Sequence, residues 1–316
     1  MKKVLVTYQI PREGLRKLES CCSVVYPEST CFTKDEIIAR ISYCDALLSI
    51  FSMPVDRDII DAGKCLKLIS NYGVGFNNVD VEYAASKGIK VSNTPEAVCK
   101  PTAELCMGLM LSLARRISEC NHRLRIESDF KWGVMENLGI GLYGKVLGIV
   151  GMGKIGLEVA RLAKAFGMSI IYSKRHRLDI SVEDSLGARY CDLNELLSAA
   201  DVVSLHVPLT DATSHMIGRE EFSQMKTNAL LVNTARGPVV NESDLVEALK
   251  SGVIAGAALD VFENEPEIHP DLFKLNNAVI VPHIGTASID SRIEMGKEAG
   301  DNIINFFNES PTNIVN

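Results

Sequence analysis

The chain has 316 residues, 47% of them hydrophobic and 23% charged, with 33 Lys and Arg against 40 Asp and Glu for a formal net charge of -7. That composition describes a globular protein long enough for two domains, and it lacks the basic excess that a nucleic-acid partner would call for. The nine cysteines include no Cys-x-x-Cys pair and no metal-ligand spacing, so reduced thiols used as small apolar residues are expected, with no metal.

The chain opens on MKKVLVT, an apolar stretch that ends at Tyr8 and Gln9; it is too short for a secretion signal and suits a first strand. No stretch approaches a membrane span, so a cytoplasmic protein without a membrane partner is expected. Runs at 4–7, 46–49, 66–71 and 90–92 predict strands, and 11–19 and 34–41 predict helices. Together they make a small open α/β domain with its own parallel sheet. Pro101 and Thr102 open a long helix expected to run through Leu105, Leu109, Leu111 and Leu113 to about residue 122. A segment containing Trp132 leads to an apolar strand at 146–150, a glycine turn, an amphipathic helix and a second strand ending at Ser173. Helices at 193–199, 219–225 and 243–250 then alternate with strands at 201–207, 229–233, 254–259 and 278–281. A last helix at 288–307 has no strand of its own to cover and is expected to return to the first domain. The expected fold class is therefore α/β with two domains, a Rossmann doubly wound parallel sheet at 99–285 inserted into a flavodoxin-like α/β substrate domain made of 1–98 and 286–316.

The glycine turn GMGKIG carries the first chemical signal. Gly151 lets the chain turn tightly, Gly153 lets the backbone approach a pyrophosphate, and Gly156 lets the following helix pack on the strand. Backbone N–H groups near Lys154 and Ile155 then face the phosphates at the positive end of the helix dipole. A lone GxGxxG is weak, but here a strand precedes it and the stripe Leu157, Val159, Ala160, Leu162, Ala163, Phe166 follows it.

The second strand bears on which dinucleotide binds. NAD-specific units place an Asp or Glu there for the ribose 2′-hydroxyl. This chain has Ser173, then Lys174 and Arg175, with Arg177 just beyond. A hydroxyl followed by cations suits a 2′-phosphate, so NADP(H) is expected to be preferred, with NAD(H) still possible. A solvated basic loop is the plainer alternative.

Three ionisable residues follow strand ends, where open α/β sheets place their ligands. Arg236 follows LLVNTA, Glu265 lies just beyond AALDV, and His283 follows VIVP. Taken singly each has a plainer explanation: a surface arginine, one solvated acid among several, a satisfied turn histidine.

Eight collinear stretches carry more: YGVGFNNVD (72–80), KGIKVSNTPE (87–96), PTAELCMGLMLSLARR (101–116), GIVGMGKIG (148–156), DVVSLHVPLT (201–210), LVNTARGPVVN (231–241), AALDVFENEP (257–266) and VPHIGTAS (281–288). Over essentially its whole length the chain resembles the D-isomer-specific 2-hydroxyacid dehydrogenases. The resemblance implies that Arg236, Glu265 and His283 are the catalytic residues. Protonated His283 would act as general acid on the keto oxygen, Glu265 would orient its ring and favour the imidazolium, and Arg236 would pair with the substrate carboxylate. It implies further that Thr102, Val207, Pro208, Thr234, Ala235 and Asp260 border the cofactor, although Asp260 also reads as a strand-end cap. The backbone N–H groups of Val74 and Gly75 would form a nest for the carboxylate, with Gly73 and Gly75 supplying the φ values that a nest requires.

The substrate is narrowed by the segment DALLSIFSM (45–53). Phosphoglycerate dehydrogenases of this family usually place an Arg there, whereas this chain has Ile50 and Phe51, and the regulatory domain that many of them append is not expected beyond Asn316. LLSxxS and the Ser-Lys-Arg ending look more like the glyoxylate and hydroxypyruvate reductases, with Phe51 as an aromatic wall. The expected activity is NADPH-dependent reduction of a small 2-oxoacid to the D-2-hydroxyacid. A 3-phosphoglycerate dehydrogenase, a 2-ketogluconate reductase and, more remotely, a nucleotide-sensing corepressor-like protein are the alternatives. The resemblance also implies a homodimer built around the cofactor domain, with the helix from Pro101 and the Trp132 arm as material, and closure of the two domains over substrate.

Overall fold

Buried runs of three to five residues build two sheets that are parallel throughout, and the loops beyond their carboxyl ends carry Arg236, Glu265 and His283. The computed structural model describes residues 1–316. The chain divides into two units, Met1–Pro101 with Thr286–Asn316, and Thr102–Gly285.

The first unit holds β1 (Lys2–Val6), β2 (Cys22–Val25), β3 (Ala46–Ile50), β4 (Leu68–Tyr72) and β5 (Lys90–Ser92) in the order β2-β1-β3-β4-β5. That is the flavodoxin-like order. On one face Ile37, Ile41, Ile59 and Ile60 pack against Leu5, Leu47 and Ile69. On the other, Leu15 and Leu18 join Met295, Ala299 and Ile303 of the Ile289–Phe307 helix. The last helix therefore completes the core of this first unit.

Three features here depart from expectation. The helix anticipated at 11–19 is a 3₁₀ turn, Arg12–Leu15, followed by a short α-helix, Arg16–Cys21. β2 was not anticipated; it is a four-residue strand at the sheet edge and only half-buried, so its sequence carries little alternation. Two short helices, Arg57–Ala62 and Val81–Ser86, also went unforeseen, although Asp56 and Asp80 cap them by accepting the N–H groups of Ile59 and Tyr83.

The second unit holds β6 (Val146–Val150), β7 (Ser169–Ser173), β8 (Ala188–Tyr190), β9 (Val202–Leu205), β10 (Leu230–Asn233), β11 (Gly256–Leu259) and β12 (Ala278–Ile280). Their order, β12-β11-β10-β9-β6-β7-β8, is doubly wound, with the reversal between β6 and β9. The register keeps the strand ends level. Val150 lies opposite Ser173 and Leu205, Asn233 opposite Leu205 and Leu259, and Leu259 opposite Ile280. Whatever follows those residues is thereby presented along one edge of the sheet.

The single long helix expected from Pro101 to about residue 122 is two helices, Cys99–Ala114 and Ile117–Ile126. The break has a tertiary cause. Ile140 N–H donates to the Ala114 carbonyl at 2.8 Å, taking an acceptor that a continuing helix would use, and Arg116 turns into the left-handed region with φ 54. Gly139 sits so close to this end that a Cβ on it would stand 2.3 Å from the Ala114 oxygen.

Candidate active site

In the second unit the glycine turn is held from both sides. Gly151 adopts φ 95, its N–H donates to the Ser173 carbonyl at 2.9 Å, and a Cβ on it would stand 2.8 Å from Val207 Cγ1. Gly156 admits no Cβ either, since one would lie 2.6 Å from the Gly151 oxygen. Gly153 differs from both: a Cβ there would meet nothing within 4 Å. It is the N-cap of the Lys154–Ala165 helix, and no side chain caps that helix. Ile155 follows in the first turn. The three glycines thus serve a turn, an open approach and a close packing contact.

Ser173 ends β7 half-buried. Arg177, counted with the cations beside it, is committed elsewhere: its guanidinium pairs with Glu183 at 2.7 and 2.9 Å. Tyr172 donates to the same carboxylate at 2.6 Å, and these bonds from Arg177 and Tyr172 hold the Glu183 carboxyl at about 2. Lys174 and Arg175 have no such ionic partner and remain beside Ser173. Val207 lies against Gly151, while Pro208 is exposed and its carbonyl accepts the Thr213 hydroxyl at 2.6 Å.

The loop after β10 is folded by a residue that its sequence context does not single out. Asn233 accepts the Ala235 N–H at 3.0 Å and donates to the Arg236 carbonyl at 3.0 Å, pinching Thr234, Ala235 and Arg236 into a tight turn. The Thr234 hydroxyl is buried without a partner. Burial pushes the Arg236 guanidinium below its ordinary range, and the charge of Glu265 opposes that shift. Gly237 is a second omission. A Cβ on it would stand 1.8 Å from the Phe262 oxygen, so only glycine lets this turn lie against the loop after β11.

His283 and Glu265 meet directly, with His283 Nδ1 2.8 Å from Glu265 Oε2. An ionised carboxylate can only accept, so Nδ1–H is the donor. Glu265 Oε1 accepts the Phe262 N–H at 3.0 Å. Burial acts to raise the Glu265 carboxyl, but the bond and charge of His283, the Phe262 N–H and the charge of Arg236 outweigh it and hold the group below its ordinary value.

Asp260 shapes the backbone around His283. It is 1% exposed and accepts the N–H groups of Ile284 at 2.6 Å and Gly285 at 2.9 Å, while its carbonyl accepts the His283 N–H at 2.9 Å. These three bonds hold His283 at φ 50, a conformation rarely taken by a residue with a side chain and one that clusters at functional sites. Burial raises the Asp260 carboxyl despite those N–H groups. Thr102 borders the same turn, since a Cβ on Gly285 would stand 3.5 Å from its hydroxyl and 3.1 Å from Asp260 Oδ2.

In the first unit Phe51 lies beside the GVGFNN loop, its Cβ 3.3 Å from the position a Cβ on Gly73 would take. Neither Val74 nor Gly75 donates its N–H within this unit. Gly75 does not take a positive φ, so the conformational freedom expected of it is not used. Unforeseen asparagines hold the loop instead. Asn71 donates to the Gly75 carbonyl at 2.8 Å, Asn93 to the Val74 carbonyl at 2.8 Å, and Asn78 to the carbonyls of Ile50 and Met53 at 2.9 and 3.0 Å. Their signal was the recurrence of Asn at the ends of β4 and β5 and inside the loop itself.

Comparison with known proteins matches residues 107–285 to the NAD-binding domain of the D-isomer-specific 2-hydroxyacid dehydrogenases. The glyoxylate reductases of Thermococcus litoralis and Korarchaeum cryptofilum are 42% and 44% identical over 320 aligned positions, covering 99% of this chain and 96% of each relative. An NADPH-dependent glyoxylate/hydroxypyruvate reductase from Sinorhizobium meliloti, solved with NADP and malonate, superposes with a TM-score of 0.85 at 31% identity, over 99% of this chain and 96% of that one. The chain belongs to the D-isomer-specific 2-hydroxyacid dehydrogenase family and is an NAD(P)-dependent oxidoreductase.

Proposed function

We propose that this protein reduces a small 2-oxoacid of the glyoxylate or hydroxypyruvate type to the D-2-hydroxyacid, with NADP(H) preferred over NAD(H). The observation that carries the reading is the 2.8 Å His283–Glu265 pair beside Arg236, at the carboxyl ends of adjacent strands. The glyoxylate and glyoxylate/hydroxypyruvate reductases among its relatives agree with it in substrate class.

The residues suit a dinucleotide. Gly153 is open where a Cβ would otherwise stand, the helix behind it is uncapped, and the buried Thr234 hydroxyl lacks a partner. Gly151, Gly153, Lys154, Ile155 and Gly156 would hold the pyrophosphate, Ser173, Lys174 and Arg175 the 2′-phosphate, and Thr102, Val207, Pro208, Thr234, Ala235 and Asp260 the remainder. When bound, the reduced nicotinamide supplies the hydride.

The side chains supply what the hydride needs around it. Arg236 pairs with the substrate carboxylate through its planar fork and stabilises charge as it develops on the keto oxygen. His283 donates a proton to that oxygen, and Glu265 keeps the ring oriented and balances its charge. Phe51, Val74 and Gly75 are the substrate contacts proposed in the first unit. Phe51 and Ile50 stand where the phosphoglycerate dehydrogenases usually carry an Arg, which favours a substrate without a phosphate; the cation beside them, Arg292, lies over the Phe51 ring at 5.5 Å.

We further propose a cytoplasmic homodimer. Nine unpaired cysteines suit a reducing compartment, and no helix is long and apolar enough to cross a membrane. Trp132, Val134, Met135 and Tyr143 are 77–92% exposed, an apolar series suited to burial against a second copy. The substrate reading is tested by oxidation of NADPH and NADH with glyoxylate, hydroxypyruvate, pyruvate, 2-ketogluconate and 3-phosphohydroxypyruvate. Glyoxylate or hydroxypyruvate with NADPH should give the largest kcat/KM, and turnover confined to 3-phosphohydroxypyruvate would overturn the assignment.

A further inference from the structure

Two acids outside the catalytic set cross-link the loops that carry it. Glu242 begins the Glu242–Ser251 helix, six residues after Arg236, and Glu263 stands two residues before Glu265. Each carboxylate accepts the other's backbone N–H. Glu263 N–H donates to Glu242 Oε2 at 2.9 Å, and Glu242 N–H donates to Glu263 Oε2 at 3.0 Å. The remaining oxygens are also engaged, Glu242 Oε1 with the His269 N–H at 2.9 Å and Glu263 Oε1 with His215 Nε2 at 2.7 Å. His215 is itself fastened to the Arg236 side of the junction, its N–H donating to the Pro238 carbonyl at 2.7 Å. Gly237 allows the two loops to touch, because a side chain there would overlap the Phe262 carbonyl.

Neither acid pairs with a Lys or Arg. Two carboxylates brought to one junction repel, and a fold that needed only a covered loop would be served by apolar side chains. What the pair supplies is a fixed distance: two crossed hydrogen bonds set where the Arg236 turn stands relative to the Phe262–Glu265 loop. Catalytic geometry must be held to within about 0.5 Å, and a displacement of about 1 Å costs on the order of 10²-fold.

We propose that Glu263 and Glu242, with His215 behind them, are positioning residues that set the spacing between Arg236 and the Glu265–His283 pair. The inference rests on the function proposed above. It is tested with Glu263→Ala, Glu263→Gln and Glu242→Gln in the full-length enzyme, using 2-oxoacid kinetics from pH 5 to 9, NADPH titration by fluorescence and thermal melts. Glu263→Ala loses both bonds from its carboxylate. It should raise KM and lower kcat together, for a loss of about 10–100-fold in kcat/KM, and move the alkaline limb of the profile to lower pH with NADPH affinity unchanged. Glu263→Gln keeps an oxygen for the Glu242 N–H and should recover most of that loss. Glu242→Gln keeps one of two acceptors and should fall between.

A folded Glu263→Ala with wild-type KM and an unmoved alkaline limb would overturn the proposal. So would a loss that follows melting temperature alone and disappears on cooling the assay. Should Glu263→Ala fail to fold, Glu242→Gln decides by the same criteria. A wild type that reduces no 2-oxoacid would remove the functional reading and this inference with it. An active wild type with unaltered variants would remove the inference alone.

Discussion

Replacing Glu265 by Gln removes a charge while leaving the side chain's shape. The carboxylate accepts twice, from His283 Nδ1 at 2.8 Å and from the Phe262 N–H at 3.0 Å. An amide has one oxygen, so it can keep only one of these bonds. If the oxygen stays with Phe262, the NH₂ faces Nδ1 and opposes a proton there, which disfavours the imidazolium. If the oxygen turns to His283, the NH₂ meets the Phe262 N–H donor to donor. A hydrogen bond to a charged group contributes about 1.5–3 kcal/mol, which corresponds to roughly ten- to hundredfold in the equilibrium it favours. Both side chains are about one-third exposed, at 33% and 35%, and screening favours the lower end, near tenfold.

The alkaline limb of kcat/KM for 2-oxoacid reduction should therefore move to lower pH. Above the wild-type limb the variant should fall behind about tenfold, with the gap closing as the pH is lowered. Initial rates of NADPH oxidation from pH 5 to 9, with ionic strength held constant, provide the assay. A profile displaced downward in parallel, with its limb where the wild type has it, would refute the reasoning, because Glu265 would then be acting on something other than the proton of His283.

Four further outcomes follow from the same geometry. His283→Ala should lose about 10²–10⁴-fold in kcat while NADPH still quenches protein fluorescence with its usual midpoint; near-wild-type turnover would remove the role assigned to His283. Gly237→Ala places a Cβ 1.8 Å from the Phe262 oxygen and should cost about 1–3 kcal/mol in chemical unfolding, with a catalytic loss besides, and an unchanged midpoint would contradict the packing. Ser173→Asp sets a carboxylate against the 2′-phosphate and should lower the NADPH-to-NADH ratio of kcat/KM by about tenfold or more, whereas an unaltered ratio would place the 2′-phosphate elsewhere. Glu183, held at about 2 by Arg177 and Tyr172 against an ordinary 4.5, contributes stability that is present above pH 4.5 and is lost as the pH falls toward 2. The difference in Tm between wild type and Glu183→Gln should shrink over that window, and a constant difference would deny the pairing.

Much of this protein is legible in its sequence, and most of the exceptions have a common cause. Strands such as VLGIV at 146–150 are short apolar runs buried on both faces, and their context identified the glycine turn. Arg236, Glu265 and His283 stood out because each follows such a run. The missing pieces depend on partners distant in sequence. Nothing in residues 101–122 announces that Ile140 will take the Ala114 carbonyl and end the helix. Arg177 read as one more cation because Glu183 lies in a later helix. The crossed bonds of Glu242 and Glu263 join residues 21 apart, each plausible alone as a solvated acid. The capping aspartates at 56 and 80 are a different matter: their signal is local, and the helices that they begin were within reach of the sequence.

In the proposed reaction His283, Glu265 and Arg236 together serve the reduction of a 2-oxoacid to its D-hydroxyacid. The most direct measurement supplies hydroxypyruvate and NADPH, follows NADPH loss at 340 nm, and resolves the glycerate formed by chiral chromatography. One D-glycerate should form for each NADPH consumed, with the rate abolished or nearly so in His283→Ala. L-glycerate, glycerate formed without NADPH loss, or a rate indifferent to His283 would contradict it.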